Sequence, residues 1–585
     1  MRRRFLAVTV AAACVLSGCG VPDSGPAVTY GAERTNTGVD TRQPYKVAVP
    51  EGLQAPDQTV SGYLRAANGT PERMKDQVRA FFTQSAQASW QGGSGGVLVV
   101  RGRVHPPTQA VGVGAGPYDA RVQVTGDVLG VLNNGWLDQS QARTGYSYTY
   151  NLISAGTGKG WLIDNPPQGM MLSIEALQND YDQRPVYYPP NGEERSLVPD
   201  LRYVPRSVSV SASARNQLLM GWLLAGPSSY VAGAVNSAVP TNTELVGLPV
   251  EDNASSTIIV DLSARADVTE RLEAMVAQIA VTLQAKYLEI RINGRTKIRP
   301  HDRDAYFYDA WNPAIGRTPR PLMVEGGMVR TVRIPDRPEE QVPALLRGRT
   351  NVRWAAGLNA TAAYVANDDA LWVGRANQSD DTRYNQPIRI PGQAFTSPPA
   401  MYKTPGGPKV LIGAGARVYT VDQADPKPDP DQVTISGVPG EGDVTSLSVA
   451  PGGKRVAFVR GGRAYAGIFT DATQIRAWQV ASQLTGVTSV SWSSEVGFLV
   501  SGIGQPVTAG GANSALSQVT YDGAIVEPQF PAQTTRTGPV AAYVGPPRGA
   551  TLVMEPLVEI EGRIHLVRHP GVPAIAGTSP LYYED

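Results

Sequence analysis

The stretch Thr445-Ser446-Leu447-Ser448-Val449 recurs 43 residues later as Thr488-Ser489-Val490-Ser491-Trp492. A turn and a second β-rich segment follow each copy, at Arg455–Arg460 and at Val496–Ser501. Two copies of one pattern at a fixed spacing indicate a repeated structural unit. The sequence therefore predicts that this part of the chain is built from repeated groups of strands.

Weaker copies of the same pattern begin near Asn351, Thr396 and Gly538. The spacing of about 43 to 50 residues fits the four-stranded blades of a β-propeller, and residues 301–585 have room for roughly six. We predict that residues 301–349 and the tail Thr578–Tyr583 share one blade and close the ring. Closure leaves only short, protected strand edges.

The first nineteen residues have the layout of a secretory signal. Three arginines, Arg2 to Arg4, precede the apolar run Phe5–Leu16, and Leu16-Ser17-Gly18-Cys19 follows. This order predicts a signal peptide over residues 1–18, and it resembles the bacterial lipobox. The resemblance implies cleavage before Cys19, diacylglycerol on the Cys19 thiol and an anchor on the extracytoplasmic face of the cell membrane. The alternative is an ordinary secretory signal with an incidental cysteine.

Residues 19–44 are rich in Gly, Pro, Thr and Asp and predict a flexible, lipid-anchored linker. As a random coil, this linker has a root-mean-square end-to-end distance of roughly 25–30 Å. The chain has two cysteines, Cys14 and Cys19, so the processed chain is expected to hold no disulfide and no cysteine metal site. Removing residues 1–18 takes three arginines and no acid from a net charge of +1 and leaves about −2, which argues against nucleic-acid binding.

Residues 45–183 predict an α+β domain. Two amphipathic helices open it, and Val60, Tyr63, Leu64 and Ala67 fall on one face of the first. Four strands follow, at Val97–Val104, Arg121–Leu132, Tyr146–Ser154 and Trp161–Asp164. Helices followed by an antiparallel meander favour an α+β fold, which resembles the nuclear-transport-factor-2-like (NTF2-like) class.

Residues 184–300 predict a compact α/β domain. A helix carrying Leu218, Leu219, Trp222 and Leu223 ends at Gly226-Pro227. The other predicted elements are a short strand at Val186–Tyr188, strands at Thr243–Val250 and Ser256–Leu262, a long helix from Val268 to Leu283, and a strand at Tyr287–Ile292 turned at Asn293-Gly294.

Several short motifs in this domain recur in one known family. They are Leu197-Val198-Pro199-Asp200, Leu224-Ala225-Gly226-Pro227, Ala238-Val239-Pro240, Val260-Asp261-Leu262-Ser263 and Gln278-Ile279-Ala280-Val281-Thr282-Leu283. Their order resembles the GerMN domain of sporulation and germination proteins. The resemblance implies an envelope-associated interaction module with no catalytic residue. Asp261, at the end of a predicted strand, is interpreted as capping a turn.

Residues that could suggest a catalytic or metal site each have a simpler explanation. Gly92-Gly93-Ser94-Gly95-Gly96 matches a hydrolase nucleophile elbow, but the elbow needs a strand before and a helix after, and here the order is reversed. His565 and His569 have the spacing of a helical zinc pair, but Arg563–Val567 is predicted to be a strand and Pro570 follows at once, so no helix is expected here. The acid pairs Glu193-Glu194 and Asp368-Asp369 point apart on an extended chain.

Two further segments are interpreted as loops. Gly112–Gly116 lacks the strand–helix context of a dinucleotide site. Asp425–Asp431 lacks the glycine and glutamate of a calcium loop. We therefore predict no catalytic residue, no metal and no cofactor, and lipid attachment at Cys19.

The order of lipobox, α+β domain, GerMN domain and C-terminal propeller resembles the LpqB family of actinobacterial lipoproteins. The resemblance implies a non-enzymatic accessory of the MtrA–MtrB two-component system. Such a protein contacts the extracellular sensor domain of the MtrB histidine kinase, modulates MtrA phosphorylation and affects cell-wall homeostasis and division. The alternative is a surface β-propeller enzyme or a cell-wall glycan-binding module, because propellers hold ligands in their central channels.

Overall fold

The computed structural model describes most residues between 55 and 584. The gaps are 70, 93–95, 110–118, 157–159, 193–194, 253, 269, 300–310, 312–318, 336, 338–339, 359, 377–381, 385, 424–428, 507–512, 530–535 and 544–553. The predicted signal peptide, Cys19 and the linker lie outside the described residues.

The first domain packs three short helices against a mainly antiparallel sheet, in which Val97–Val104 and Met170–Ser173 form the one parallel pair among its described strands. The helices are α1 (Pro56–Ala66), α2 (Pro71–Arg79) and α3 (Gln84–Ser89); the strands are β1 (Val97–Val104), β2 (Thr108–Gln109), β3 (Asp119–Asn133), β4 (Trp136–Asp138), β5 (Arg143–Ser154), β6 (Trp161–Ile163) and β7 (Met170–Ser173). The sheet order is β6-β5-β3-β1-β7. The predicted α+β content is confirmed, while the NTF2-like class stays a prediction.

The core of this domain lies between the helices and the sheet. Tyr63 of α1 is fully buried and contacts the rings of Phe82 and Tyr150, with centroids 5.6 and 5.7 Å away. Helix α4 (Ile174–Asp180) leads out of this domain and begins at Ser173, whose hydroxyl accepts a hydrogen bond from the Ala176 amide.

The second domain combines a long hairpin with a four-stranded sheet. The hairpin is β8 (Tyr181–Tyr188) and β9 (Val198–Pro205), followed by α5 (Arg206–Ser209) and α6 (Ala212–Ala225). The sheet order is β10-β11-β12-β13, from Val250–Asp252, Thr257–Leu262, Tyr287–Ile292 and Arg295–Ile298. Helix α7 (Leu272–Leu283) connects the parallel strands β11 and β12. The predicted helix ending at Gly226 is confirmed, and Gly226 has φ +94°.

Two predictions in this domain are wrong at their boundaries. No strand covers residues 243–249, and β10 begins only at Val250. Gly247 has φ +87°, a conformation that interrupts an extended strand, and Pro249 lacks an amide for strand pairing. The predicted long helix begins at Leu272, because Val268 lies in a 3₁₀ turn with 67% of its surface exposed.

The third domain is a ring of six blades. Its strands are β14 (Arg320–Glu325), β15 (Met328–Thr331), β16 (Val352–Leu358), β17 (Thr361–Ala366), β18 (Leu371–Ala376), β19 (Thr382–Tyr384), β20 (Ala400–Thr404), β21 (Gly407–Ala414), β22 (Arg417–Asp422), β23 (Asp431–Ser436), β24 (Val444–Val449), β25 (Arg455–Arg460), β26 (Arg463–Phe469), β27 (Gln474–Gln479), β28 (Val487–Ser494), β29 (Gly497–Pro506), β30 (Asn513–Thr520), β31 (Val526–Pro528), β32 (Val540–Ala541), β33 (Leu557–Ile560), β34 (Arg563–Leu566), β35 (Ile575–Ala576) and β36 (Thr578–Glu584). Five blades hold four strands each, and their inner strands are β16, β20, β24, β28 and β32. These inner strands begin within about five residues of the predicted repeat starts, so the predicted blades are confirmed.

The tail of the chain closes the ring. Strand β36 pairs antiparallel with β14 and parallel with β16, so the sixth sheet combines β14 and β15 with the C-terminal strand. Each of the six inner strands contacts the inner strand of the next blade, from β16 round to β36 and back. The predicted sharing of one blade between residues 301–349 and the tail is confirmed.

The three domains are packed together. One continuous apolar core includes Tyr63 of the first domain, Tyr188 and Tyr230 of the second, and Trp492 and Tyr521 of the propeller. Gly135, in the β3–β4 turn, lies so close to Trp222 of α6 that an added Cβ would be 2.6 Å from its ring. These shared contacts fix the second domain between the first domain and the propeller.

Candidate functional site

The serines of the repeated motif join neighbouring blades. The Ser446 hydroxyl oxygen accepts a hydrogen bond from the Val490 amide at 3.1 Å, and that of Ser448 accepts one from the Trp492 amide at 3.1 Å. Residues two apart on a strand share a face, so both serines face β28. In the next blade Ser489 and Ser491 accept from the amides of Val540 and Ala542, at 3.2 and 2.9 Å.

The six inner strands surround a central cavity of about 680 Å³. Residues of the second domain form part of its wall: Tyr187, Arg195, Ser196, Leu197 and Pro199. They approach the turns that follow the inner strands, where Gly452 lies beside the Ser196 side chain. The candidate site is therefore built from two domains, and neither completes it alone.

Charged groups cluster where the two domains meet over the cavity. The Tyr187 hydroxyl donates a hydrogen bond to Oε2 of Glu495 at 2.7 Å. The Arg455 guanidinium donates to the backbone oxygen of Glu495 and lies 4.8 Å from the ring centroid of Trp492. Arg455 is only 3% exposed, and burial lowers the pKa of its side chain. Arg195 and Lys403 also line the cavity.

A buried ion pair lies behind this wall. Asp200 and Arg202 on β9 are fully buried, with Oδ2 and Nη2 2.7 Å apart. The carboxylate of Asp200 also accepts hydrogen bonds from the amide and hydroxyl of Ser228 at 2.8 and 2.6 Å, and from the Tyr521 hydroxyl of the propeller at 3.2 Å. Arg202 donates to the carbonyl oxygen of Asn134 in the first domain at 3.0 Å. This pair therefore links all three domains.

A second set of contacts fixes the propeller against the second domain. The Tyr203 hydroxyl donates to Oδ2 of Asp522 at 2.9 Å. Arg476 donates to three backbone carbonyls, those of residues 229, 230 and 232, at 2.6 to 3.1 Å. Burial raises the pKa of Asp522 above its usual value. Such buried, hydrogen-bonded side chains give one defined domain arrangement.

Three acidic residues singled out in the sequence make structural contacts. The Asp261 carboxylate accepts from the Gly294 amide at 3.1 Å, so its predicted turn-capping role is confirmed. Asp368 pairs with Arg389 and Asp369 with Arg353, so these two neighbours point to different partners.

The predicted histidine candidates are also separated. His565 lies on β34, and Nδ1 of His569, in the following loop, lies 2.7 Å from Oε2 of Glu555. Among the residues that the structure describes, no cluster of three or more His, Cys, Asp or Glu could hold a metal ion.

Other candidates fall partly or wholly outside the described residues. Cys19, Glu193-Glu194, Gly112–Gly116 and most of Asp425–Asp431 are among them. Around Gly92–Gly96, α3 precedes and β1 follows, the reverse of the order in a nucleophile elbow. In the described ranges no helix is long and apolar enough to span a membrane.

The domain junction was missed by sequence reasoning. Leu197–Asp200 stands out as a family motif, but β9 is buried along its whole length, including Asp200 and Arg202. Charged residues usually indicate an exposed face, so local pattern gives the opposite signal. The partners of this pair lie 24 to 321 residues away in the chain, and no local spacing brings them together.

Family models match two of the domains. Residues 50–178 match the model described as the N-terminal domain of lipoprotein LpqB, and residues 185–297 match Germane, described as sporulation and spore germination.

Curated relatives from several actinobacteria carry the name Lipoprotein LpqB, and three of them illustrate the similarity. The relative from Thermobifida fusca (strain YX) is 26% identical over 67% of this chain and 64% of its own length. The relative from Streptomyces coelicolor is 27% identical over 48% of this chain and 47% of its own length. The relative from Mycobacterium tuberculosis (strain CDC 1551 / Oshkosh) is 27% identical over 40% of this chain and 37% of its own length. The matched stretch thus spans less than two thirds of each relative.

Solved structures with some likeness include two propellers. The β-propeller domain of Myceliophteria thermophila Cps50 (Swd1) aligns with a TM-score of 0.26 at 11% identity, over 37% of this chain and 65% of its own. The WD40 β-propeller domain of Doa1 aligns with a TM-score of 0.26 at 14% identity, over 37% of this chain and 64% of its own. At these scores the propeller assignment rests on the described sheets. The chain therefore matches the models of the LpqB N-terminal domain and of Germane over two of its domains, and it is similar to curated lipoproteins named LpqB.

Proposed function

We propose that the chain is a lipid-anchored, extracytoplasmic accessory protein of a two-component system. It binds the extracellular sensor domain of the MtrB histidine kinase and modulates phosphorylation of MtrA, with effects on cell-wall homeostasis and division. The observation that supports this proposal most directly is the match of residues 50–178 to the N-terminal domain of lipoprotein LpqB, combined with the lipobox-like sequence that ends at Cys19. The role is non-enzymatic.

The packing of the domains suggests how such a protein acts. Asp200, Arg202 and Tyr521 hold three domains in one arrangement, so a partner meets a preformed surface. A lipid at Cys19 confines that surface near the membrane and raises its effective concentration beside a membrane-bound kinase. Binding shifts kinase activity only if the protein prefers one kinase conformation over another.

Two measurements test this proposal. First, calorimetry of the purified chain with the isolated MtrB sensor domain is expected to show saturable binding. Second, Cys19→Ala is expected to leave folding and this binding unchanged in solution, while MtrA phosphorylation in cells changes toward that of a strain lacking the protein. Cys14→Ala, in the predicted signal peptide, is the matched control and keeps wild-type phosphorylation.

The outcomes separate the two parts of the proposal. Absence of binding at high sensor-domain concentration contradicts the kinase partnership. Wild-type MtrA phosphorylation in the Cys19→Ala strain, with binding intact, contradicts the role of the anchor and leaves the partnership standing.

A further inference from the structure

The central cavity has the size of a small-molecule site and is partly enclosed. Ligand sites commonly measure 300–1,000 Å³, and this cavity measures about 680 Å³. Two domains wall it: the inner strands of the propeller form a ring, and the segment Arg195–Leu197 with Tyr187 closes part of one side.

Part of the wall is aromatic and accessible. Trp354, Tyr543 and Tyr582 line the cavity and are each partly exposed. The rings of Tyr543 and Tyr582 lie 6.1 Å apart and are tilted by 55°. The Arg353 guanidinium lies 3.8 Å from the ring centroid of Trp354 and covers one of its faces, and the Tyr582 hydroxyl donates to the carbonyl oxygen of Glu555. Partly exposed aromatic rings present a flat apolar surface, which suits a ligand with a flat apolar face.

The polar part of the wall is rigid and rich in hydroxyl groups. Ser446, Ser448, Ser489 and Ser491 line the cavity, and each accepts a backbone amide of the next blade. The hydroxyls of Ser446 and Ser491 also donate to the carbonyl oxygens of Val490 and Ala542, each at 3.5 Å. Because a hydroxyl has two acceptor sites, an accepted amide leaves each serine one further acceptor site. Groups fixed in this way lose little entropy when they bind a polyhydroxylated ligand.

The charge of the wall is predominantly positive. Arg195, Lys403 and Arg455 line it, against the single carboxylate of Glu495 among the lining residues. Nη2 of Arg195 also lies 4.0 Å from Oε2 of Glu273, in an exposed pair that water screens. One oxygen of the Glu495 carboxylate already accepts the Tyr187 hydroxyl. Cations concentrated in a partly enclosed, low-dielectric space favour an anionic ligand.

We propose that this cavity binds a small acidic saccharide, a pyranose ring that carries a carboxylate. The aromatic rings stack on the C–H face of the sugar, the serines and strand backbone bind its hydroxyl groups, and Arg195 and Lys403 bind the carboxylate. The proposal is independent of the kinase partnership, since it concerns the channel of the propeller. It names a ligand class for a site made by two domains.

Calorimetry on the full chain, purified in detergent, tests this assignment. The probes are N-acetylmuramic acid and N-acetylglucosamine, which share a ring and differ by the lactyl carboxylate. We expect N-acetylmuramic acid to bind saturably below about 10 mM and about tenfold more tightly than N-acetylglucosamine. Equal affinities, or no heat from either sugar at that concentration, overturn the proposal.

Two variants place the binding in the cavity. Arg195→Gln combined with Lys403→Gln removes two wall charges and is expected to remove the preference for the acidic sugar, so that both sugars bind alike. Arg417→Gln makes the same chemical change on the exposed start of β22, outside the cavity, and keeps the preference. A preference that survives the double substitution, or one lost in Arg417→Gln, contradicts the assignment. Circular dichroism shows that each variant is folded.

Discussion

Gly357 on β16 lies directly against the ring of Tyr583 on β36, and a Cβ added to Gly357 would lie 1.9 Å from Cδ2 of that ring. The two residues are register partners in the parallel pair that closes the propeller. Tyr583 is 2% exposed, so its ring is buried at the closure. Only a residue without a side chain permits this approach.

Gly357→Ala is therefore expected to destabilise the closed ring. The tyrosine ring must move out of its buried position, and overpacking of this kind costs about 1–3 kcal/mol. Urea unfolding, followed by fluorescence, measures the loss. Gly406→Ala is the control, because the nearest atom to its Cβ is 3.8 Å away. Equal stability of both variants shows that the contact does not constrain closure.

Ser446→Ala tests the bond between blades. The substitution leaves the amide of Val490 without its serine acceptor, in a buried position. An unsatisfied buried donor costs about 1–3 kcal/mol, and the midpoint of thermal unfolding should fall accordingly. Thr445→Ala, one residue earlier and exposed, should stay within about 0.5 kcal/mol. A loss in Thr445→Ala as large as that in Ser446→Ala argues against this role.

Arg202→Met tests the ion pair at the domain junction. Removing one partner leaves the Asp200 carboxylate buried without its cation, which costs about 3–5 kcal/mol. The exposed pair of Arg206 and Asp182, 3.1 Å apart, provides a matched control, and Arg206→Met should cost less than about 1 kcal/mol. Chemical denaturation gives both values. Adding Asp200→Asn to Arg202→Met should recover part of the loss, and no recovery contradicts the electrostatic explanation.

We predict that Asp522 makes the free energy of unfolding depend on pH. Burial raises its pKa in the folded state, so the folded protein holds this proton at pH values where the unfolded chain has released it. The folded state then binds more protons, and the contribution of Asp522 to stability falls as the pH rises from its unfolded to its folded pKa. Asp522→Asn should remove this part of the slope. Urea unfolding at several pH values from about 4 to 7 compares the two slopes, and identical slopes contradict the prediction.

Much of the architecture follows from the sequence. The recurrence of Thr445–Val449 at Thr488–Trp492 indicates the blade period, because these two blades repeat the same inner strand and the same two serine contacts. Tyr287–Ile292 and its Asn293-Gly294 turn are predicted as observed, because β-branched alternation and an Asn-Gly pair are strong local signals. Where local signals were mixed, as at Val246–Pro249, the predicted strand is wrong.

The cavity and the junction could not be predicted in this way. The wall of the cavity joins Tyr187 to Glu495, 308 residues apart, and the junction joins Asp200 to Tyr521, 321 residues apart. The sequence by itself determined the strand period, the domain order and the lipobox-like N-terminus, because those depend on neighbouring residues. Only the tertiary structure decided which charges are buried and which residues share a cavity, because burial depends on distant segments packing together.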